Sequence, residues 1–224
     1  MKLVFLILVA SFCSAQSVTN NFILSSAPAA GGDEATSVSD TIAANNRDGQ
    51  SNDADEELTA TPYSTQYLHW GLYDGAERRA GYQFAIPLAQ GVVADSAFLY
   101  LYDVESGTED SDDSTFIKIE DSDNAAVFDA THTHSLTAHG GGVWTGGQVV
   151  WMTSTWTGPG YNKSPDIASL VNHVLARGGW SSGNYMSLVL DYGTTWTGDQ
   201  HGTAADFTHV SNPGLEAYII VCTH

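Results

Sequence analysis

Positive charge is scarce in this chain. Seven Lys and Arg residues stand against 26 Asp and Glu over 224 residues, a formal net charge of −19. Nucleic acid and anionic membrane surfaces would repel such a protein, which excludes both as partners. Cysteine is almost absent, with Cys13 and Cys222 alone. The one long apolar run, Leu3 to Phe12, is too short to cross a bilayer, so no membrane span is expected. Helical periodicity is confined to a single stretch, and no repeat of fixed period runs through the chain.

The apolar run has a meaning of its own. Residues 1–15, MKLVFLILVASFCSA, join a Lys2 n-region to an apolar core and to small residues before a cut after Ala15, the pattern of a secretory signal peptide. The protein is therefore expected to be secreted, extracellular or at the cell surface. Cleavage removes Cys13. Cys222 is then either a buried thiol in the last strand or half of an intermolecular bridge.

The helical stretch lies in YNKSPDIASLVNHVLARGGWSSGNY, residues 161–185. The pattern puts Ser164 at the N-cap, Pro165 at the first helical position and Asp166 near the positive end of the helix dipole. Ile167, Leu170, Val171, Val174 and Leu175 form one apolar face, Arg177 falls in the last turn, and Gly178 and Gly179 end the helix. A lone stripe of this kind must be buried against a sheet.

Strand patterns surround it, at 67–73, 81–86, 97–104, 115–119, 148–152, 185–190, 205–210 and 216–222. The 97–104 segment is apolar on both faces, as in a central strand covered on both sides. With 42% hydrophobic residues there is enough for a core. The expected fold is all-β: an antiparallel β-sandwich, jelly-roll-like, with one amphipathic helix, over residues 51–224.

Residues 16–50 read as an N-terminal arm and linker. Val18, Phe22, Ile23 and Leu24 give SVTNNFIL a strand character, SSAPAAGG follows as a flexible tether, and 36–42 is a second, weaker strand pattern before a polar turn. Two readings stand. The arm is an edge strand or tail of its own domain, or it completes the sheet of a neighbouring subunit by strand addition.

Four kinds of residue are candidates for chemistry. Acids crowd two stretches, eight from Asp33 to Glu57 and nine from Asp103 to Asp123. Close carboxylates repel unless solvated or bridged, and Ca²⁺ is the cation that takes several loop oxygens. Asp53, Asp55, Glu56, Glu57, Glu120, Asp121 and Asp123 are the metal candidates, with Ca²⁺ as the cofactor. Six Trp residues suggest sugar stacking or core packing, and Trp144, Trp151, Trp156 and Trp196 are the ligand-binding candidates. Asn162-Lys163-Ser164 is a glycosylation sequon at the start of the expected helix. His132, His134 and His139 could put imidazoles on one strand face, but a zinc site needs further ligands. Gly179–Gly183 matches GxSxG, with Asp191, Asp206 and His209 behind it. The helix precedes the motif and the strand follows it, the reverse of a nucleophile elbow. No catalytic residue is assigned.

The order NDADEE (52–57), AGYQFAIPLAQG (80–91), DSAFLYLYDVE (95–105), IKIEDSDNAAVF (117–128) and SPDIASLVNHVLARGGWSSGN (164–184) resembles a β-sandwich module of secreted bacterial surface proteins. It is similar to the DNRLRE and disaggregatase-related modules, which are carbohydrate-binding-like. EDSDNA and the helix with its trailing GWSSGN are the most specific parts, and the likeness spans roughly 52–221. It implies a sandwich with no catalytic residues of its own. The functional expectation is a non-catalytic, secreted structural or adhesive protein that assembles into filaments through Val18, Phe22, Ile23 and Leu24. The alternative is a carbohydrate-binding module that depends on Ca²⁺. The expected partners are further copies of the chain or an extracellular glycan.

Overall fold

The computed structural model describes residues 25–26, 36–41, 48–52, 67–73, 76–104, 114–126, 147–152, 156, 159–192, 201–205 and 215–224. They form two antiparallel sheets and one short helix. Twelve strands run in chain order: β1 Ser25–Ser26, β2 Thr36–Thr41, β3 Asp48–Asn52, β4 Tyr67–Tyr73, β5 Ala76–Ala85, β6 Ser96–Asp103, β7 Ser114–Ile119, β8 Gln148–Met152, β9 Gly160–Lys163, β10 Tyr185–Tyr192, β11 His201–Ala205 and β12 Tyr218–Thr223. The smaller sheet has the order β1-β2-β12-β6-β9. The larger follows β11-β4-β5-β10-β7-β8, with β3 also paired to β5. The chain changes sheet between β2 and β3, β5 and β6, β6 and β7, β8 and β9, β9 and β10, and β11 and β12. This repeated crossing makes the fold a β-sandwich, as the strand patterns predict.

The alternation of side chains explains the layers. Leu68 and Trp70, Tyr82 and Phe84, Leu99 and Leu101, Ile117 and Ile119, Leu188 and Leu190, and Ile219 and Val221 each sit two residues apart. All are buried in one common core. A two-residue period is what puts them on one face of a pleated strand. Trp70, Trp151 and Trp156 meet inside this core, with ring centroids 5.7 Å apart for Trp70–Trp156 and 5.0 Å for Trp151–Trp156. The Trp70 indole N–H donates to Thr115 Oγ1 at 2.8 Å.

The helix, α1, spans Ala168–Leu175, later than the capping pattern suggests. Ile167, Leu170, Val171, Val174 and Leu175 are all buried, so the predicted stripe is the one used. Ser164 does not cap it. Its Oγ accepts from Leu99 N–H at 2.9 Å, and Ser164 N–H donates to Leu99 O at 2.8 Å. Asp166 Oδ1 likewise accepts from Ala97 N–H and Ala168 N–H, both at 2.9 Å. The residues after β9 thus continue its ladder along β6 before the helix begins. The helix is held from the other side by Asn172. Its side chain takes Ala94 N–H at 2.7 Å and gives to Ala94 O at 2.9 Å.

Several expectations are corrected here. β3 occupies what reads as a polar turn, whereas β2 falls where the second strand pattern, 36–42, is expected; the two strands belong to the chain's own two sheets. β11, His201–Ala205, begins before the 205–210 pattern, of which 206–210 lie outside the described residues. The outer face of β6 is half exposed, with Phe98, Tyr100 and Tyr102 on it, and no second layer covers it among the described residues. Cys222 is 8% exposed in β12; Cys13 lies outside the described residues. Among the described residues no helix is long and apolar enough to cross a membrane.

Candidate functional site

Three strands of the smaller sheet build an aromatic surface on its outer side. Register brings the residues together: Tyr218 of β12 and Lys163 of β9 both flank Tyr100 of β6, and Tyr161 of β9 flanks Tyr102. Directly opposed residues share a face. Tyr100 and Tyr218 stack at 4.5 Å with planes 8° apart. Tyr161 meets Tyr218 edge-on at 5.1 Å and Tyr102 edge-on at 5.2 Å. Lys163 Nζ lies 3.5 Å from the Phe98 ring centroid, a cation–π contact. Tyr161 is 41% exposed, and its hydroxyl donates to Glu216 O at 3.2 Å.

The rings screen each other's hydroxyls from water. Burial pushes the Tyr218 phenol up to about 12, with Tyr100 adding to it. Burial also raises Tyr161, reinforced by the charge of Glu216 and by Tyr218 and Tyr102, and burial raises Tyr100. These phenols stay neutral donors through any physiological pH. A half-exposed row of rings with neutral hydroxyls and one ammonium offers apolar faces and hydrogen bonds side by side. That combination suits a ligand that is itself half apolar and half hydroxylated.

The acidic loop after β7 has a different role. Asp121 Oδ1 lies 2.9 Å from His173 Nε2 and is also ion-paired with Arg177 Nη1, while Arg177 Nε donates to Asp123 Oδ1 at 2.7 Å. The hydrogen bond to Asp123, ahead of the one to Asp121, holds the Arg177 guanidinium above its usual value. Asn184 Nδ2 donates to Asp123 O at 2.8 Å, and Tyr185 N–H donates to Asn124 Oδ1 at 2.9 Å. Gly179 lies against this loop so closely that a Cβ there would come within 2.2 Å of Asp123 Oδ2. The EDSDNA and GWSSGN segments are therefore two halves of one latch. It fastens the C-terminal end of α1 to the start of β10.

The sequence candidates separate accordingly. Asp121 and Asp123 meet a guanidinium. Glu120 is buried just past the end of β7. No group of three or more metal-ligating side chains converges among the described residues. Asp53, Asp55, Glu56 and Glu57 lie outside the described residues, as do Trp144, Trp196, Val18, Phe22, Ile23, Leu24 and the three histidines 132, 134 and 139. Trp151 and Trp156 are 4% and 7% exposed, so they are core residues and present no open face for stacking. Asn162 lies on β9, where its Nδ2 donates to Gly160 O at 3.3 Å. The sequon's Ser164 is buried and engaged with Leu99. In the GxSxG stretch, Trp180 is buried with its N–H on Leu88 O at 2.9 Å, and Gly183 takes a φ of 89° in the turn to β10. Asp191 pairs with Arg79 at 2.8 Å and with Lys118.

The tyrosine surface is what the sequence pattern misses. Its one signal is aromatic residues at the alternate positions 98, 100 and 102, read there as a second buried face. No family model matches the sequence, and no curated protein matches it closely enough to count as a relative.

Proposed function

We propose that the protein is a non-catalytic, secreted adhesive module that binds carbohydrate through the outer aromatic face of its smaller sheet. The observation that carries this reading is the set Tyr100, Tyr102, Tyr161 and Tyr218, brought together by register on a face with no covering layer among the described residues. Exposed aromatic clusters of this kind mark contact surfaces. A sugar ring presents a C–H face to a tyrosine and hydroxyls to the phenols, Lys163 and nearby backbone. The resemblance to carbohydrate-binding-like surface modules and the signal-peptide pattern of residues 1–15 support the same reading.

Ca²⁺ belongs to this proposal through Asp53, Asp55, Glu56 and Glu57. Asp121 and Asp123 already hold Arg177 and His173, so they are not its ligands. A structural role through strand addition by Val18, Phe22, Ile23 and Leu24 uses a different surface and can coexist with glycan binding. The test is retardation in native gels that contain soluble polysaccharides, for the natural protein beside Tyr161→Ala and Tyr218→Ala. Selective retardation that the two variants lose is the expected result. Equal mobility of all three proteins in every polysaccharide contradicts the proposal.

A further inference from the structure

We propose that Lys163 selects a glycan whose mostly neutral chain carries a carboxylate or sulfate group, set beside the sugar ring that covers Phe98 and Tyr100; this rests on the glycan reading above. Cations are scarce here, 7 against 26 acids, and the others described are engaged. Arg79 and Lys118 share Asp191, and Arg177 holds Asp121 and Asp123. Arg78 is half-buried with contacts of its own. Lys163 is exposed, and among the described residues no carboxylate pairs with it. Its Nζ rests 3.5 Å from the Phe98 ring centroid instead. A ring face attracts the charge without taking up all three N–H donors, so the ammonium keeps donors for an anion.

The charge of the whole protein limits the ligand further. A polymer with an acid on every unit is repelled by a net charge of −19. A single acid group beside Lys163 is not, because at 0.1 M salt charges farther off than about 10 Å are largely screened. The acids of the ligand are therefore spaced along a neutral chain. The face also sets its direction. Phe98, Tyr100 and Tyr102 alternate along β6, a rise of about 7 Å from each to the next, longer in all than one sugar ring fills. Lys163 lies opposite Tyr100 and reaches Phe98, while Tyr161 lies opposite Tyr102. Glu216 stands at that second end, where its charge acts on Tyr161. The ligand's acid thus goes to the Phe98 end and its neutral rings to the Tyr102 end.

Matched polymers test this: lightly substituted carboxymethyl-cellulose beside hydroxyethyl-cellulose, sparsely de-esterified pectin beside the full methyl ester, and lightly sulfated dextran beside dextran. Binding to each is measured for the natural protein, Lys163→Gln, Lys163→Arg and Tyr161→Ala. The acidic member of at least one pair should bind more tightly than its neutral partner, and which pair does so tells carboxylate from sulfate. Lys163→Gln should remove that preference, a loss of about tenfold, and Lys163→Arg should keep it. Should Lys163→Gln lower the Tm, the natural protein carries the test alone, and high NaCl should erase the preference while binding to the neutral member persists. Equal binding within every pair, tighter binding of the neutral members, or a preference that survives Lys163→Gln overturns the proposal. The glycan reading itself still stands in those cases if Tyr161→Ala abolishes binding. No binding to any polymer overturns both.

Discussion

Gly202 faces Trp70 across the β11–β4 pair, and a Cβ there would come within 2.3 Å of the indole. The indole cannot move aside without disturbing its hydrogen bond to Thr115 and its contact with Trp156. Gly202→Ala should therefore destabilise the fold by about 1–3 kcal/mol, the usual cost of overpacking, read as a lower urea midpoint. That Trp70 points inward is legible from the alternation of Leu68 and Trp70. The need for glycine at 202 is not, because it arises from a partner strand 132 residues away in sequence (202 − 70). The tyrosine surface makes a second prediction at this scale. Tyr218 titrates near 10.0 when unfolded and near 12 when folded. A raised pKa means the folded state keeps its proton longer. The stabilisation from this group is whole below pH 10.0 and is lost as the pH climbs to about 12. Absorbance at 295 nm should show Tyr100, Tyr161 and Tyr218 ionising above the ordinary tyrosine value, with Tm falling over the same range. Ionisation of all tyrosines together near the ordinary value would contradict the packing described for this face.

At the scale of elements, the helix was readable and its start was not. The apolar spacing from Ile167 to Leu175 identifies the buried face because it depends only on helical period. The capping pattern at Ser164 and Asp166 has a competitor that no local rule sees. The N–H groups of Leu99 and Ala97 on β6 take those two side chains, while Asp166 also accepts from Ala168 N–H at the helix start. The acidic loop misleads for the same reason. Asp121 and Asp123 resemble cation ligands in sequence, and the cation they meet is Arg177, 56 and 54 residues away. Replacing Arg177 with Ala leaves the two carboxylates facing each other and unlatches α1 from β10. Stability should fall by about 1–3 kcal/mol, the range for hydrogen bonds to charged groups, by equal amounts with calcium and with chelator. A loss confined to chelator would return these carboxylates to the metal reading.

For the whole molecule, the sandwich was legible because seven of the eight expected strands overlap observed ones over most of their length. The pairing order was not, since neighbours such as β2 and β12 come from opposite ends of the chain. Seventeen of 26 acids fall in two stretches, and the net charge is −19. Self-repulsion of that size opposes the compact state and is screened by salt. Raising NaCl should raise the Tm, and a Tm that is flat or falls would mean that ion pairs such as Arg79–Asp191 outweigh the repulsion. The central claim is that the smaller sheet's outer face binds glycan. Its most direct test is an equilibrium titration of the retained polysaccharide, or a glycan-array screen, on the natural protein and on Tyr161→Ala. Loss of one stacked ring should weaken binding about tenfold, equivalent to ~1.4 kcal/mol, with Tm almost unchanged because Tyr161 lies outside the core. Binding that Tyr161→Ala, Tyr218→Ala and Tyr100→Ala all leave intact would contradict the claim, and so would the absence of binding to any glycan in the screen.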